Sequence, residues 1–108
     1  MNKYYSMTDF EINKLVIQAL KLVVPLGYPH NADNRSVGVV SHGEYLWYDY
    51  CNNPSEAWPI IKKYRIGLAP SVDVWHAYSP EEDFVCTLAN PLRAAMIVFL
   101  MMKEFGND

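Results

Sequence analysis

Cys51 is the residue whose type and position point most directly to chemistry. It lies in the stretch YCNNPSEAWPII, just before a predicted helix. The amino end of a helix favours the reactive thiolate, so Cys51 could act as a nucleophile with a histidine as its base. A small buried thiol at a junction between a strand and a helix is the simpler structural interpretation. A cysteine-dependent enzyme therefore remains one alternative.

Arg93 is the second candidate for a chemical role. The segment NPLRAAMIVFLMM predicts a helix capped by Asn90, which places Arg93 at the positive end of the helix dipole. A cation there costs about 0.3–1 kcal/mol, so another group should compensate. The structural interpretation is an ion pair with Glu82, Asp83 or another acid. The functional interpretation is a site in which Arg93 and the helix amides bind an anion.

Aromatic side chains could supply a binding surface. The chain has 3 Trp, 8 Tyr and 4 Phe among its 108 residues. Trp47, Tyr48 and Trp75 stand on predicted strands, where exposed rings could anchor a partner protein. Together with Tyr45 they could also form a platform on which nucleic-acid bases stack. Packing in the core or at an interface is the simpler interpretation of these rings.

The crowded stretch after the thiol adds further candidates. Asn52 and Asn53 precede the helix, and Trp58 lies beside Pro59, which must distort the first turn unless the helix begins later with Ser55 as its cap. We expect Asn53 to cap the helix and Trp58 to pack, so a site here depends on irregular backbone near Pro59. The predicted binding residues are Trp47, Tyr48, Asn52, Asn53, Trp58, Trp75 and Arg93.

Metal and cofactor sites are not predicted. His30, His42 and His76 stand far apart, and none has a second ligand three or four residues away. Cys51 and Cys86 follow no metal-binding spacing either. Because no catalytic set converges in the sequence, we interpret the chain as not being an enzyme.

Composition and charge limit the classes of partner. With 9 basic and 12 acidic side chains the net charge is −3, which disfavours binding to a phosphate backbone. The longest apolar run, residues 94–102, is far shorter than the roughly 20 residues of a membrane span. The stretch MNKYYSMTDF lacks the apolar centre of a signal peptide. We therefore expect a soluble intracellular protein with reduced thiols and one domain over residues 1–108.

The first elements follow from a capping motif and a turn. Thr8 and Glu11 form a capping box, and Pro25 and Gly27 are expected to end the helix. The segments VGVV and EYLWYDY, separated by SHG, predict a hairpin over about residues 37–50. The apolar stripe of the first helix comprises Ile12, Leu15, Val16, Ala19, Leu20 and Val23.

The second half of the chain predicts two more helices and further strands. RIGL is typical of a short strand, and SVDVWHAY and FVCTL predict a second hairpin around the turn SPEED. The last helix should run to about Glu104 and end at Gly106. The predicted fold is α+β, with three helices on an antiparallel sheet of four to five strands in the order αββα(β)ββα.

Four segments in order carry a family resemblance. MTDFEINKLV, YCNNPSEAWPII, WHA and NPLRAAMIVFLMM resemble the NinX family, small proteins of lambda- and P22-like phages and prophages. The resemblance covers a large part of the chain and implies a phage origin, the cytoplasm of a bacterial host and an accessory role outside the virion. It implies no catalytic residues, because the family has no established activity.

The leading functional prediction is a non-enzymatic interaction module that modulates a host or phage protein. A homodimer is a further form that it could take, and counter-defence fits the phage setting, although no residue points to it. The alternatives are a binder of nucleic acid or a nucleotide-like anion at helix amino ends, and the cysteine-dependent enzyme. No cofactor or membrane partner is expected.

Overall fold

The elements follow one another in the predicted order. The computed structural model describes residues 3–20 and 33–106. A short 3-10 helix, Lys3–Ser6, precedes three α-helices and five strands: α1 (Asp9–Ala19), β1 (Val37–Ser41), β2 (Glu44–Tyr48), α2 (Pro54–Tyr64), β3 (Gly67–Pro70), β4 (Trp75–Tyr78), β5 (Val85–Leu88) and α3 (Pro91–Phe105). The α+β class and the number of helices and strands are confirmed.

The backbone groups into two compact units, with the boundary between Asp49 and Tyr50. The strands form two antiparallel sheets where the sequence pattern predicted one: β1 and β2 in the first unit, and β3, β4 and β5, in that order, in the second. Alternating apolar residues indicate that a strand exists, but not which strands share hydrogen bonds.

Helix α1 begins at the predicted capping box. The Thr8 hydroxyl accepts the Glu11 N–H at 3.1 Å, and the Glu11 carboxylate accepts the Thr8 N–H at 2.8 Å. These bonds, chiefly the one from the Thr8 backbone, lower the pKa of Glu11. The helix buries Phe10, Ile12, Asn13, Val16 and Ile17. Val23, Pro25 and Gly27, which the prediction placed at the end of this helix, lie outside the described residues.

The first hairpin lies where the sequence predicted it. Strands β1 and β2 pair antiparallel from Val37 opposite Tyr48 to Ser41 opposite Glu44. The turn between them has positive φ at His42 (52°) and Gly43 (82°), the combination that a type I′ hairpin turn requires. This turn has the right twist for two short strands, so it fixes the register of the pair.

A polar network that is partly buried connects helix α1 to both ends of the hairpin. The Asn13 amide, fully buried on α1, donates to the Asp49 carboxylate at 2.8 Å and to the Arg35 carbonyl at 2.9 Å. The Arg35 guanidinium donates from Nε to the other Asp49 oxygen at 3.1 Å. These bonds tie α1 to the segments that precede β1 and follow β2, and they compensate the burial of the Asn13 amide and the Asp49 carboxylate.

Asp33 organises the backbone that leads into β1. One carboxylate oxygen accepts the N–H groups of Arg35 and Ser36 at 2.8 and 2.9 Å, and the other accepts the Ser36 hydroxyl at 2.7 Å. Hydrogen bonding, mainly from the Ser36 backbone, lowers the pKa of Asp33 to about 2. The charged form of Asp33 is thus the form that holds the turn.

Helix α2 starts at the first of the two predicted caps and runs through its internal proline. The Asn53 side chain accepts the Ser55 N–H at 3.1 Å, and Pro54 is the first helical residue. Pro59 lies within the helix, so the alternative start with Ser55 as cap is wrong. The helix ends where Arg65 adopts a left-handed conformation (φ 56°) and the Ile66 N–H donates to the carbonyl of Ile61 at 3.0 Å.

The three-stranded sheet contains the second predicted hairpin, but the prediction started strand β4 too early in the chain. Strand β4 pairs with β5 from Trp75 opposite Leu88 to Tyr78 opposite Val85, as the turn SPEED predicted. The stretch Ser71–Val74 was predicted to belong to β4, but it forms the connection from β3. Ser71 donates its N–H to the Val74 carbonyl at 2.8 Å, and Val72, at 93% exposure, points into solvent.

Helix α3 is the core of the second unit. It begins after the predicted cap Asn90 and ends at Gly106, and eight consecutive residues from Ala94 to Met101 are buried. It packs against α2 and against all three strands of the sheet, which explains why it is apolar on every side. Within residues 3–20 and 33–106, no helix combines the length and the apolar character that crossing a membrane requires.

The Asp33 turn predicts an acid-dependent loss of stability. Because its pKa falls from 3.8 to about 2 on folding, Asp33 stabilises the fold above about pH 4 and loses that contribution as the pH falls toward 2. We expect Asp33→Ala to lower the free energy of unfolding by about 1 kcal/mol at pH 7, a value reduced by solvent screening at this exposed carboxylate. Urea unfolding between pH 7 and pH 2 measures the difference from the wild-type chain.

Asp33→Asn serves as the control for this measurement, because its amide oxygen still accepts backbone N–H groups but carries no titratable charge. The difference between the wild-type chain and Asp33→Ala should shrink as the pH falls. A difference that stays constant down to pH 2 would show that the Asp33 charge does not hold the turn.

Candidate functional site

The solvent-facing side of the first hairpin carries an apolar surface. Val40, Tyr45 and Trp47 lie on this face and are 39%, 50% and 37% exposed; we call these three residues the hairpin surface. The Tyr45 and Trp47 rings stack with centroids 5.5 Å apart and planes at 24°. Trp47 stands opposite Gly38, which has no side chain to cover the ring. The stack is therefore preorganised and open to contact.

The other face of the same hairpin is only partly covered. Val37 and Val39 on β1 are buried, and Tyr48, across from Val37, is half-buried. Leu46, across from Val39, remains 45% exposed. The sequence left open which face of the hairpin is buried; the structure places Trp47 on the exposed face and Tyr48 on the more buried one.

Trp58 and Trp75, the other two tryptophans among the predicted binding residues, lie in the second unit. Trp58 is 58% exposed on α2, so the expectation that it packs is wrong. The buried stripe of α2 comprises Ala57, Ile60 and Ile61, and a helical residue next to Ala57 points about 100° away from that stripe. Trp75 is half-buried on β4.

Asn52, one of the predicted binding residues, meets Asn90 at the amino end of α3. The Asn90 amide donates to the Cys51 carbonyl at 2.7 Å and to the Asn52 side-chain oxygen at 3.1 Å. The Asn90 oxygen accepts the N–H groups of Leu92 and Arg93 at 2.9 and 3.3 Å. Asn90 therefore caps α3 and also links it to the segment that leads into α2. The sequence predicted the cap but not the link.

Arg93 lies on the first turn of α3, as predicted, and its side chain is half-buried. Its N–H is one of the two that the Asn90 oxygen accepts. The predicted pairing of its guanidinium with Glu82 or Asp83 stays a prediction.

Cys51 and Cys86 are not joined by a disulfide, and both are buried. Cys51 has 0% exposed surface, which matches the structural interpretation of a buried thiol at the start of α2 better than the nucleophilic one. His76 lies on β4, with its Nδ1 2.7 Å from the Thr87 hydroxyl on the neighbouring strand. In the part of the chain that the structure describes, no group of three or more metal-ligating side chains converges.

The structure thus divides the predicted binding residues between the two units. Asn52 contacts Asn90 directly and Asn53 caps the neighbouring helix, whereas Trp47 and Tyr48 belong to the hairpin. The sequence-based set omitted Val40, although alternation along the strands would place it opposite Tyr45 once the turn is fixed. It also left Tyr45 out, although Tyr45 stacks on Trp47.

The double role of Asn90 yields a prediction that separates its two functions. Asn90→Ser retains a capping oxygen but loses the amide that reaches Cys51 and Asn52, whereas Asn90→Ala loses both. We expect unfolding free energies lower by about 1 kcal/mol for the serine variant and about 2 kcal/mol for the alanine variant. Urea unfolding followed by circular dichroism measures both. Equal losses in the two variants would contradict a contribution from the cap.

The profile of the family described as Bacteriophage P22, NinX matches residues 3–103. No curated protein matches the chain. The matched region includes α1, the hairpin, α2 and the second sheet, and it extends to the last turn of α3. Since the match spans far more than half of the 108 residues, the chain belongs to the Bacteriophage P22 NinX family.

Proposed function

We propose that this NinX-family chain is a phage accessory protein that acts in the host cytoplasm as a non-enzymatic interaction module, binding and modulating a host or phage protein. The observation that carries the proposal is the hairpin surface. The stacked, exposed rings of Tyr45 and Trp47 beside Val40 have the chemistry of a protein-binding anchor. Suppression of a host defence system is one process that such a module could serve.

The stacked rings of Tyr45 and Trp47 contribute little to the stability of the fold. Tyr45 is 50% exposed and Trp47 is 37% exposed, so both contribute less to folding than fully buried rings would. A partner that covered them would remove this apolar area from water and would meet a surface that is already ordered, which lowers the entropy cost of binding. Tyr and Trp are also the residue types that most often dominate the energy of protein interfaces.

The chemical alternatives receive less support from the geometry. The Cys51 thiol is buried, whereas a catalytic thiol must reach its substrate. At the helix amino ends, Asn53 already accepts the Ser55 N–H, and Asn90 accepts those of Leu92 and Arg93. These amides are among the donors that a bound anion would need, so anion binding ranks below protein binding.

The proposal predicts that the hairpin surface is required for partner binding. The double variant Tyr45→Ser/Trp47→Ser should weaken binding of the physiological partner roughly 30-fold or more, the loss expected from removing an interface anchor. Because both rings are only partly buried, the variant should unfold at a somewhat lower urea concentration than the wild-type chain but remain folded in the binding assay. The measurement is quantitative capture from infected host cells, followed by titration of each captured protein with the purified chain.

Val72→Ser is the matched control, because it removes another exposed apolar side chain that lies in a connection between strands. It should bind as the wild-type chain does. Sedimentation velocity of all three proteins tests the homodimer as a form of the same interaction. Recovery of neither a partner nor a self-associated form, or equal binding by the hairpin variant, would refute the proposal.

A further inference from the structure

A cavity of about 270 Å³ lies at the carboxyl end of α3, in the second unit. Phe84 and Met102 are apolar lining residues of the cavity, and Glu81 and Asp83 are its acidic lining residues. Gly106, the residue that ends α3, completes this side of the cavity. Drug-sized ligands need roughly 300–1,000 Å³, so this space suits one side chain or a small linear molecule.

The two charged residues that line the cavity are both acidic, and they lie at the carboxyl end of a helix. Glu81 and Asp83 each bring a carboxylate, and both residues are exposed to solvent. The carboxyl end of a helix adds partial negative charge from its terminal carbonyl groups. Lys103, the basic residue of the last turn of α3, places its ammonium 5.1 Å from the centroid of the Tyr64 ring, and it does not line the cavity.

The walls of the cavity are held in place by the backbone. The Ser79 hydroxyl accepts the Phe84 N–H at 3.1 Å, and the Ser79 N–H donates to the Phe84 carbonyl at 3.0 Å. On the other side, the Gly106 N–H donates to the Met102 carbonyl at 2.8 Å, and a Cβ at position 106 would collide with that carbonyl oxygen. The Phe105 ring, 66% exposed, stacks on Phe84 with centroids 6.3 Å apart.

We infer that this cavity binds an alkylammonium group: the apolar walls take the alkyl stem, and Glu81, Asp83 and the end of α3 attract the cation. This chemistry has two sources, the lysine side chain of a protein and a free aliphatic amine. The inference is independent of the hairpin surface, because every residue of the cavity belongs to the other unit.

The test is a titration of the full chain with small amines, monitored by NMR signals of the Phe84 ring and the Met102 methyl group. The probes are n-pentylamine and a lysine blocked at both backbone ends, which carry one ammonium group each, and the neutral control is the same blocked lysine acetylated on its side chain. Both cations should produce saturable shifts with dissociation constants of roughly millimolar order, and the neutral analogue should bind about 10-fold more weakly. Raising the salt concentration should weaken the cations further.

Variants distinguish the cavity from general attraction to an acidic loop. Glu81→Gln/Asp83→Asn should bind both cations about 10-fold more weakly. Glu82→Gln removes a carboxylate from the same loop that does not line the cavity, so it should change the affinity less than 2-fold. Tighter binding of the blocked lysine than of n-pentylamine would assign the site to a protein side chain, and the reverse would assign it to a free amine.

Three results would overturn the inference: no saturable shift with either cation, equal shifts with the acetylated control, or equal losses in the Glu82 variant and the double variant. Because the substituted side chains are exposed, all variants should keep the unfolding transition of the wild-type chain, and circular dichroism checks this.

Discussion

The burial of α3 is the constraint on which the second unit depends. Eight consecutive side chains, from Ala94 to Met101, are withdrawn from water, and each large one contributes roughly 1.5–3 kcal/mol as an upper estimate. Since α2 and the three strands all pack on this helix, its two ends have fixed positions relative to their own unit. The amino end holds Asn90 against the Cys51 carbonyl, and the carboxyl end forms one side of the acidic cavity. A long amphipathic helix would leave one face in solvent. This helix can organise its surroundings because it has no polar face between Ala94 and Met101.

The first unit is stabilised in a different way. Its sheet has two strands, and a two-stranded sheet alone is marginally stable in water. The buried Asn13 amide compensates for this, because it links α1 to Asp49 after β2 and to the Arg35 carbonyl before β1. Both ends of the hairpin are therefore fixed, while its turn and outer face stay in solvent. This arrangement lets Tyr45 and Trp47 remain exposed without loosening the strands that carry them.

Local signals in the sequence predicted much of this architecture. The Thr8 capping box, the two Asn-Pro helix starts, the hairpin turn and the glycine after α3 all depend on residues close together in the chain, and all were found where expected. Two of the failures depend on distant groups. Nothing near Asn13 indicates that its partner is Asp49, 36 positions away, and nothing in the strands indicates that they separate into two sheets. The exposure of Trp58 could have been predicted, because it lies off the Ala57–Ile60–Ile61 stripe. The cavity could not, because Phe84 and Met102 approach each other only through the packing of α3.

The chain belongs to a phage protein family, but this membership does not identify its chemistry. The proposed function therefore rests on the surfaces of the protein. Isolated exposed apolar residues such as Val72 are common on any protein and need no explanation. Two aromatic rings that stack on each other in solvent are different, because together they present a larger apolar area at a cost in solubility. The acidic net charge of −3 offsets part of that cost by keeping copies of the chain apart. An apolar surface kept in solvent on an anchored hairpin, in a chain whose thiols are buried, is the arrangement on which the proposal of an interaction module rests.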